Sequence, residues 1–375
     1  MPNKNTPPAV NITWTGNLQP LFAIEVSPDA MMLPTGKDGT LALAPVLGPG
    51  ICGFSYGSST GPITEFAALD KLTTLSVDAN WVNGNATGIY INAASLTSLA
   101  FPNLQLVAGQ TNHGIFITAG GNLATVSLPK LKGVFFMGMF AAGINIAYAS
   151  ITTLDLPELT HLEGLGMVIG INLNSDPALT TINAPKLVTV VAGSNALSVV
   201  NTTVNIANLT FGTIGTTKTI IGGFQLTGQK LTQTSVDNLL ALLASLDGTN
   251  GTTQHAGYVT NISGGTSAAP TFTGQTSTST SVATGGGVCT FTTSNTSPAY
   301  AADDLVTITG ATTPGYNGTY KVLASPAPDA AHFTVANATT GTLGTATIKR
   351  TKTTTESYYN WQKVSLRAST TITTN

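Results

Sequence analysis

The segment Leu96-Thr97-Ser98-Leu99-Ala100-Phe101-Pro102-Asn103-Leu104 returns at Leu123 to Leu131, at Ile151 to Leu159 and at Leu179 to Leu187, each time with proline as its seventh residue. Successive prolines lie 27, 28 and 28 residues apart. A constant period of this length means that one small unit is stacked on copies of itself, because a single unit cannot bury its apolar side alone. A second phrase runs between the copies: Gly88-Ile89-Tyr90-Ile91, Gly114-Ile115-Phe116-Ile117, Gly143-Ile144-Asn145-Ile146 and Gly170-Ile171-Asn172-Leu173. Apolar residues two apart mark a short strand that buries one side, so each rung holds at least two strands. Stacked rungs pair in parallel at a spacing of about 4.8 Å, with leucine on leucine inside. Proline cannot donate to such a ladder and belongs at a corner.

The leucine phrase departs from a leucine-rich repeat: proline stands where that repeat continues toward its asparagine, and nothing between the phrases has helical composition. It is more similar to the right-handed β-helix of receptor L-domains and related bacterial surface repeats. Asn174-Ser175-Asp176-Pro177-Ala178-Leu179-Thr180-Thr181-Ile182-Asn183-Ala184-Pro185-Lys186-Leu187 carries that likeness best, and the likeness covers residues 61 to 215. It implies an architecture and names no ligand.

With 375 residues the chain builds a large core without metal or disulfide staples. Only 8% of its residues are charged, while Gly alone contributes 40. So little charge removes the usual protection against association, which points to a surface covered by copies of the chain or by other subunits. The abundance of periodic apolar residues excludes general disorder. A net charge of −2 argues against nucleic acid as a partner. The start, Met1-Pro2-Asn3-Lys4-Asn5-Thr6-Pro7-Pro8, lacks the apolar run of a secretory signal, so signal-dependent export is not expected. The uncharged run from Gly133 to Leu154 keeps the phase of the repeat and reads as a buried rung, so membrane insertion is not expected either.

The ends of the stack need covers. Thr234 to Leu246, followed by Asp247-Gly248, is expected to form a capping helix, with Thr234 or Ser235 as N-cap and Asp237 in its first turn. Together with Asn250-Gly251-Thr252 and Ser263 to Pro270, this stretch resembles one that follows such repeats in bacteriophage tail and surface proteins. A Thr/Ser/Gly run from Phe272 to Gly287 reads as a linker. Strands are then expected at Val288–Thr292, Leu305–Thr309, Thr319–Leu323, His332–Val335 and Thr345–Lys349, with turns at Pro314-Gly315 and Asn317-Gly318. Val306 to Val322 within them resembles small β domains of phage virion proteins. The expected organisation is an N-terminal arm or docking region over 1–60, a solenoid over 61–233 and a helical cap over 234–270. A linker over 271–287, a small β-sandwich or barrel over 288–350 and a basic tail over 351–375 complete it.

Chemistry is sparse. A glycan-cleaving solenoid needs two carboxylates facing each other across a groove. Of the solenoid's acids, Glu65, Asp70, Asp78, Asp155, Glu158, Glu163 and Asp176, only the rung with Asp155, Glu158, His161 and Glu163 is dense, and Asp155 alternates outward between Leu154 and Leu156. Four scattered histidines and two distant cysteines, Cys52 and Cys289, have no metal-ligand spacing, so no metal, cofactor or disulfide framework is expected. No nucleophile elbow, P-loop or dinucleotide fingerprint occurs, because Gly285-Gly286-Gly287 precedes a strand. The free position of the Gly-Ile-x-Ile strand is Tyr90, Phe116, Asn145 and Asn172 in successive rungs. Stacking sets two aromatics and two amides in one outward column, which a glycan or protein partner would grip; a plain stacking ladder or a subunit interface is the alternative. Lys349, Arg350, Lys352, Lys363 and Arg367 form a basic cluster that would dock on an acidic partner.

These readings point to a mainly β, parallel β-solenoid protein that is not an enzyme. The resemblances imply a bacteriophage virion surface protein of the fibre, spike or decoration type, displayed in many copies so that avidity replaces affinity. Its expected partners are itself, most plainly as a trimer, other virion proteins and a host-surface glycan. A bacterial extracellular adhesin and a tailspike-like glycan depolymerase are the alternatives.

Overall fold

Each repeat makes three short strands joined by tight corners, so one repeat is one three-sided turn of a parallel β-solenoid. The structure is a computed structural model. It describes residues 87–108, 113–137, 141–165, 168–174, 176–199, 206–212, 219–248, 258–351, 356–367 and 370–375, with the strand backbones Ala23–Val26, Thr40–Ala42, Gly53–Ser58, Glu65–Ala67 and Thr74–Ser76.

The Gly-Ile-x-Ile phrases form a first column: Ala23–Val26, Gly53–Ser58, Ile89–Ala93, Ile115–Thr118, Ala142–Ala147 and Ile169–Asn174, each paired in parallel with the next. A second column holds Thr74–Ser76, Leu106–Ala108, Gly133–Met137 and His161–Leu165. The two merge in the strand Thr189–Val199, whose halves continue the second and the first column, and both continue into Thr219–Gln225. The leucine phrases supply the third column, which includes Ser98–Ala100 beside Thr125–Ser127 and then Thr153–Asp155, Thr181–Ala184 and Asn208–Phe211. Because strands before residue 61 already belong to the first column, the sheet reaches back through the expected N-terminal arm.

Local chemistry explains the phrases. Leu104, Leu131, Leu159 and Leu187 each donate their N–H to the carbonyl three residues back, at 3.2–3.3 Å. This puts Pro102, Pro129, Pro157 and Pro185 at the second position of a β-turn, where a fixed φ fits and no N–H is needed. The leucines and isoleucines of every phrase point inward and are buried together in one core. The phrase glycines are required by close approach. A Cβ on Gly143 would lie 2.7 Å from the Gly170 carbonyl oxygen and 2.8 Å from the Phe136 ring, and one on Gly114 would lie 2.2 Å from a Val134 methyl. The first and second columns meet too closely there for any side chain.

The capping helix, α1, spans Gln233–Ser245 and packs against Asn208–Phe211, the last strand of the third column. Its N-cap is Thr232, upstream of the expected Thr234 or Ser235. Ser235 stands in for a missing neighbouring strand, since its hydroxyl accepts the Leu209 N–H at 2.9 Å and donates to the Ala207 carbonyl at 3.1 Å. Asp237 serves no first-turn role and instead accepts hydrogen bonds from Gln233 and Thr271.

The small β domain interrupts the solenoid. After Val259–Asn261 has joined the first column, the chain builds six antiparallel strands, Gln275–Gly285, Val288–Thr293, Leu305–Thr309, Gly318–Lys321, His332–Ala336 and Ala346–Arg350. A Val322–Val335 bridge nearly closes them into a barrel around Phe291, Tyr316, Phe333 and buried Cys289; Cys52 lies outside the described residues. The expected linker is thus largely the barrel's longest strand, since alternating Thr and Ser suit a half-buried pleat once partners exist on both sides. Nor is 351–375 a free tail. A second helix, α2 (Ser357–Ser365), packs on α1, and Thr371–Thr373 pairs with Val259–Asn261 as a last first-column strand. The Trp361 indole N–H points at the Ile372 carbonyl at 3.4 Å and covers that outer edge.

Candidate functional site: the outward ladder of the first column

Register brings the four candidate contact residues together. Tyr90 pairs with Phe116, Phe116 with Asn145, Asn145 with Asn172, and the line continues through Ser198, Gln225, Asn261 and Thr373. Eight tiers therefore share one line from Tyr90 onward, and seven of them are at least partly exposed, while Ser198 in the middle is buried. The Tyr90 and Phe116 rings stack with centroids 5.4 Å apart and planes 5° from parallel. One face of each ring is turned toward the other along the solenoid axis. A sugar ring has no open aromatic face to lie on between them, and the arrangement is that of a stacking ladder. His113 sits 5.0 Å from Phe116. Burial pushes its pKa below the ordinary histidine value, and its Nδ1 accepts the Ala142 N–H at 2.8 Å, which requires a lone pair there and a neutral ring. The Asn172 side-chain oxygen is buried and has no hydrogen-bond partner among the described residues.

Charge is segregated. From Ile89 to Asn261 the first-column strands contain no Asp, Glu, Lys or Arg. The described solenoid's charges lie on the other two columns and on the corners, where several join successive rungs: Lys130 donates to Asn103 at 2.7 Å, Asn183 to Asp155 at 2.7 Å, and Lys186 meets Glu158 at 2.6 Å. Asp155 and Glu158, half of the dense acidic rung, are thus engaged by the rung above. Among the described residues no cluster of His, Cys, Asp and Glu is fit to hold a metal, and no helix is long and apolar enough to cross a membrane.

The basic cluster is not gathered into one patch. Lys349 lies over the rings of Phe272 and Tyr358, at 5.2 and 5.4 Å. Arg350 pairs with Asp304 at 2.7 Å and donates to the Pro298 and Ala299 carbonyls. Lys363 meets Asp247 at 2.9 Å, and the buried Arg367 donates to the Leu243 and Ala244 carbonyls at the end of α1. These four side chains hold the returning C-terminal segment and the barrel in place, and Lys352 lies outside the described residues. A count of charges could not foresee this, because the partners are more than 100 positions away for Lys363 and Arg367.

One group escaped sequence reasoning. Asp176 is fully buried at the corner between the first and third columns. One of its oxygens accepts the Ala149 N–H at 2.7 Å and the other has no partner among the described residues. Burial pushes its pKa up to about 7, against the pull of the backbone N–H groups. The only sequence signal was its place before Pro177, which marks a turn and says nothing of burial.

Compared with known protein families, curated proteins and solved structures, the chain matches none.

Proposed function

We propose that this chain is a structural, non-enzymatic protein of a bacteriophage virion surface, a fibre, spike or capsid-decorating subunit that displays a rigid solenoid for attachment. The observation that carries the reading is the neutral, eight-tier line of the first column, exposed in every tier but that of Ser198 and built on strands whose backbones are paired above and below. Such a face is rigid and repetitive, and it holds many weak contacts at once. The virion setting rests on the likeness of Thr234 to Pro270 and of Val306 to Val322 to phage surface segments. Attachment to a host glycan would use amides and the ring surfaces of Tyr90 and Phe116 that are not turned toward each other. Imaging particles labelled with antibody against this chain tests the reading. Regular labelling of head or tail supports it, and unlabelled particles from a producing culture overturn it. Incubation with host capsule or lipopolysaccharide should release no new reducing ends, whereas their appearance would establish a depolymerase.

A further inference from the structure

We infer that the outward face of the first column is the contact between copies of this chain. Three independent features meet on that face. It is neutral from Ile89 onward while charge is kept to the other columns and the corners, so it opposes a copy of itself without like-charge repulsion. Asn145, Asn172, Gln225 and Asn261 carry side-chain amides, which both donate and accept and are therefore complementary to themselves; the Asn261 oxygen is already engaged by Ser263 and the Gln225 amide reaches the Val259 carbonyl, which leaves the Asn261 amide N–H groups and the Asn145 amide to a second copy. Exposed apolar side chains also flank the line: Tyr148, just past the end of one first-column strand, is 53% exposed, and Val259, opening another, is 51% exposed.

The area is sufficient. Eight tiers at about 4.8 Å and strands about 16 Å long make a patch of about 500 Å². Two copies meeting there bury about 1,000 Å² together, the lower bound for a specific interface. A partner of strong charge finds no counter-charge here, and a helix finds no groove in a flat ladder. The contact does not depend on the virion reading.

Light scattering coupled to size exclusion tests the inference on the full chain. The wild type should elute as a multiple of the monomer mass. Asn145→Lys combined with Gln225→Lys sets two charges three tiers apart, far enough not to repel each other within one copy, and should weaken self-association at least about 100-fold. Tyr148→Gly with Val259→Ser, at side chains already half in solvent, should weaken it without disturbing the fold, which circular dichroism verifies. Glu158→Gln, away from the face, should leave the mass unchanged. A monomeric wild type, or face variants that are folded and keep the wild-type mass, would overturn the contact while leaving the virion reading standing.

Discussion

Replacing Asp176 by asparagine should remove a pH dependence of stability that this single carboxyl imposes on the solenoid. The side chain is 0% exposed, with one oxygen held by the Ala149 N–H and the other unpartnered among the described residues. Its pKa is about 7 in the folded chain against 3.8 for the free group. Below pH 3.8 the group is protonated in both states and imposes no pH dependence. As pH rises from there, the unfolded chain loses its proton first while the folded chain keeps it, so stability falls until the folded group also ionises near pH 7. The full loss is at most about 4 kcal/mol, of which about 2–3 kcal/mol falls between pH 5 and pH 8. Asparagine keeps the acceptor for Ala149 and never ionises. Because the amide, like the neutral acid, leaves one buried polar atom unpaired, Asp176→Asn should exceed the wild type by about 2 kcal/mol at pH 5, where the acid has already lost that much, and by about 4 kcal/mol at pH 8. Urea unfolding at pH 5, 6.5 and 8 on both proteins measures the difference directly. Parallel pH profiles for the two proteins would refute the reasoning.

Other perturbations follow from single contacts. Gly143→Ala drives a methyl against the Gly170 carbonyl and the Phe136 ring and should cost about 1–3 kcal/mol in urea unfolding. Tyr148 holds φ +57° at the corner where Gly120, one repeat earlier, holds φ +58°, so Tyr148→Gly should raise stability by about 0.5–1 kcal/mol, and a lower midpoint would count against strain at that site. Arg367→Met removes two charge-assisted hydrogen bonds to the end of α1 and should cost about 2–3 kcal/mol, read as faster amide exchange across Thr371–Thr373.

Much of the fold was legible because the repeat is local. The inward leucines, the proline corners and the outward line through Tyr90, Phe116, Asn145 and Asn172 follow from a period of 27 or 28 residues and an alternation of two. Five barrel strands were visible for the same reason, as runs of β-branched residues between turns. The sixth, Gln275–Gly285, was not, because Thr and Ser alternate equally well in a linker until two neighbouring strands accept them. Helix α2 was missed too: Ser-Tyr-Tyr-Asn-Trp-Gln-Lys-Val-Ser has modest helix propensity and is stabilised by packing on α1.

By itself, then, the sequence determined two of the three strands of each rung, its inside and outside, and which residues stack along one face, while the strands Leu106–Ala108, Gly133–Met137 and His161–Leu165 emerged only in the fold. Only the tertiary structure decided how the rungs are finished. Long-range contacts return the C-terminus to the solenoid, join Lys363 to Asp247 and Arg367 to α1, bury Asp176, and turn the rings of Tyr90 and Phe116 face to face. Periodicity is written in residues a few positions apart, whereas these contacts depend on which distant segments the folded chain brings together and on the orientation each side chain takes there.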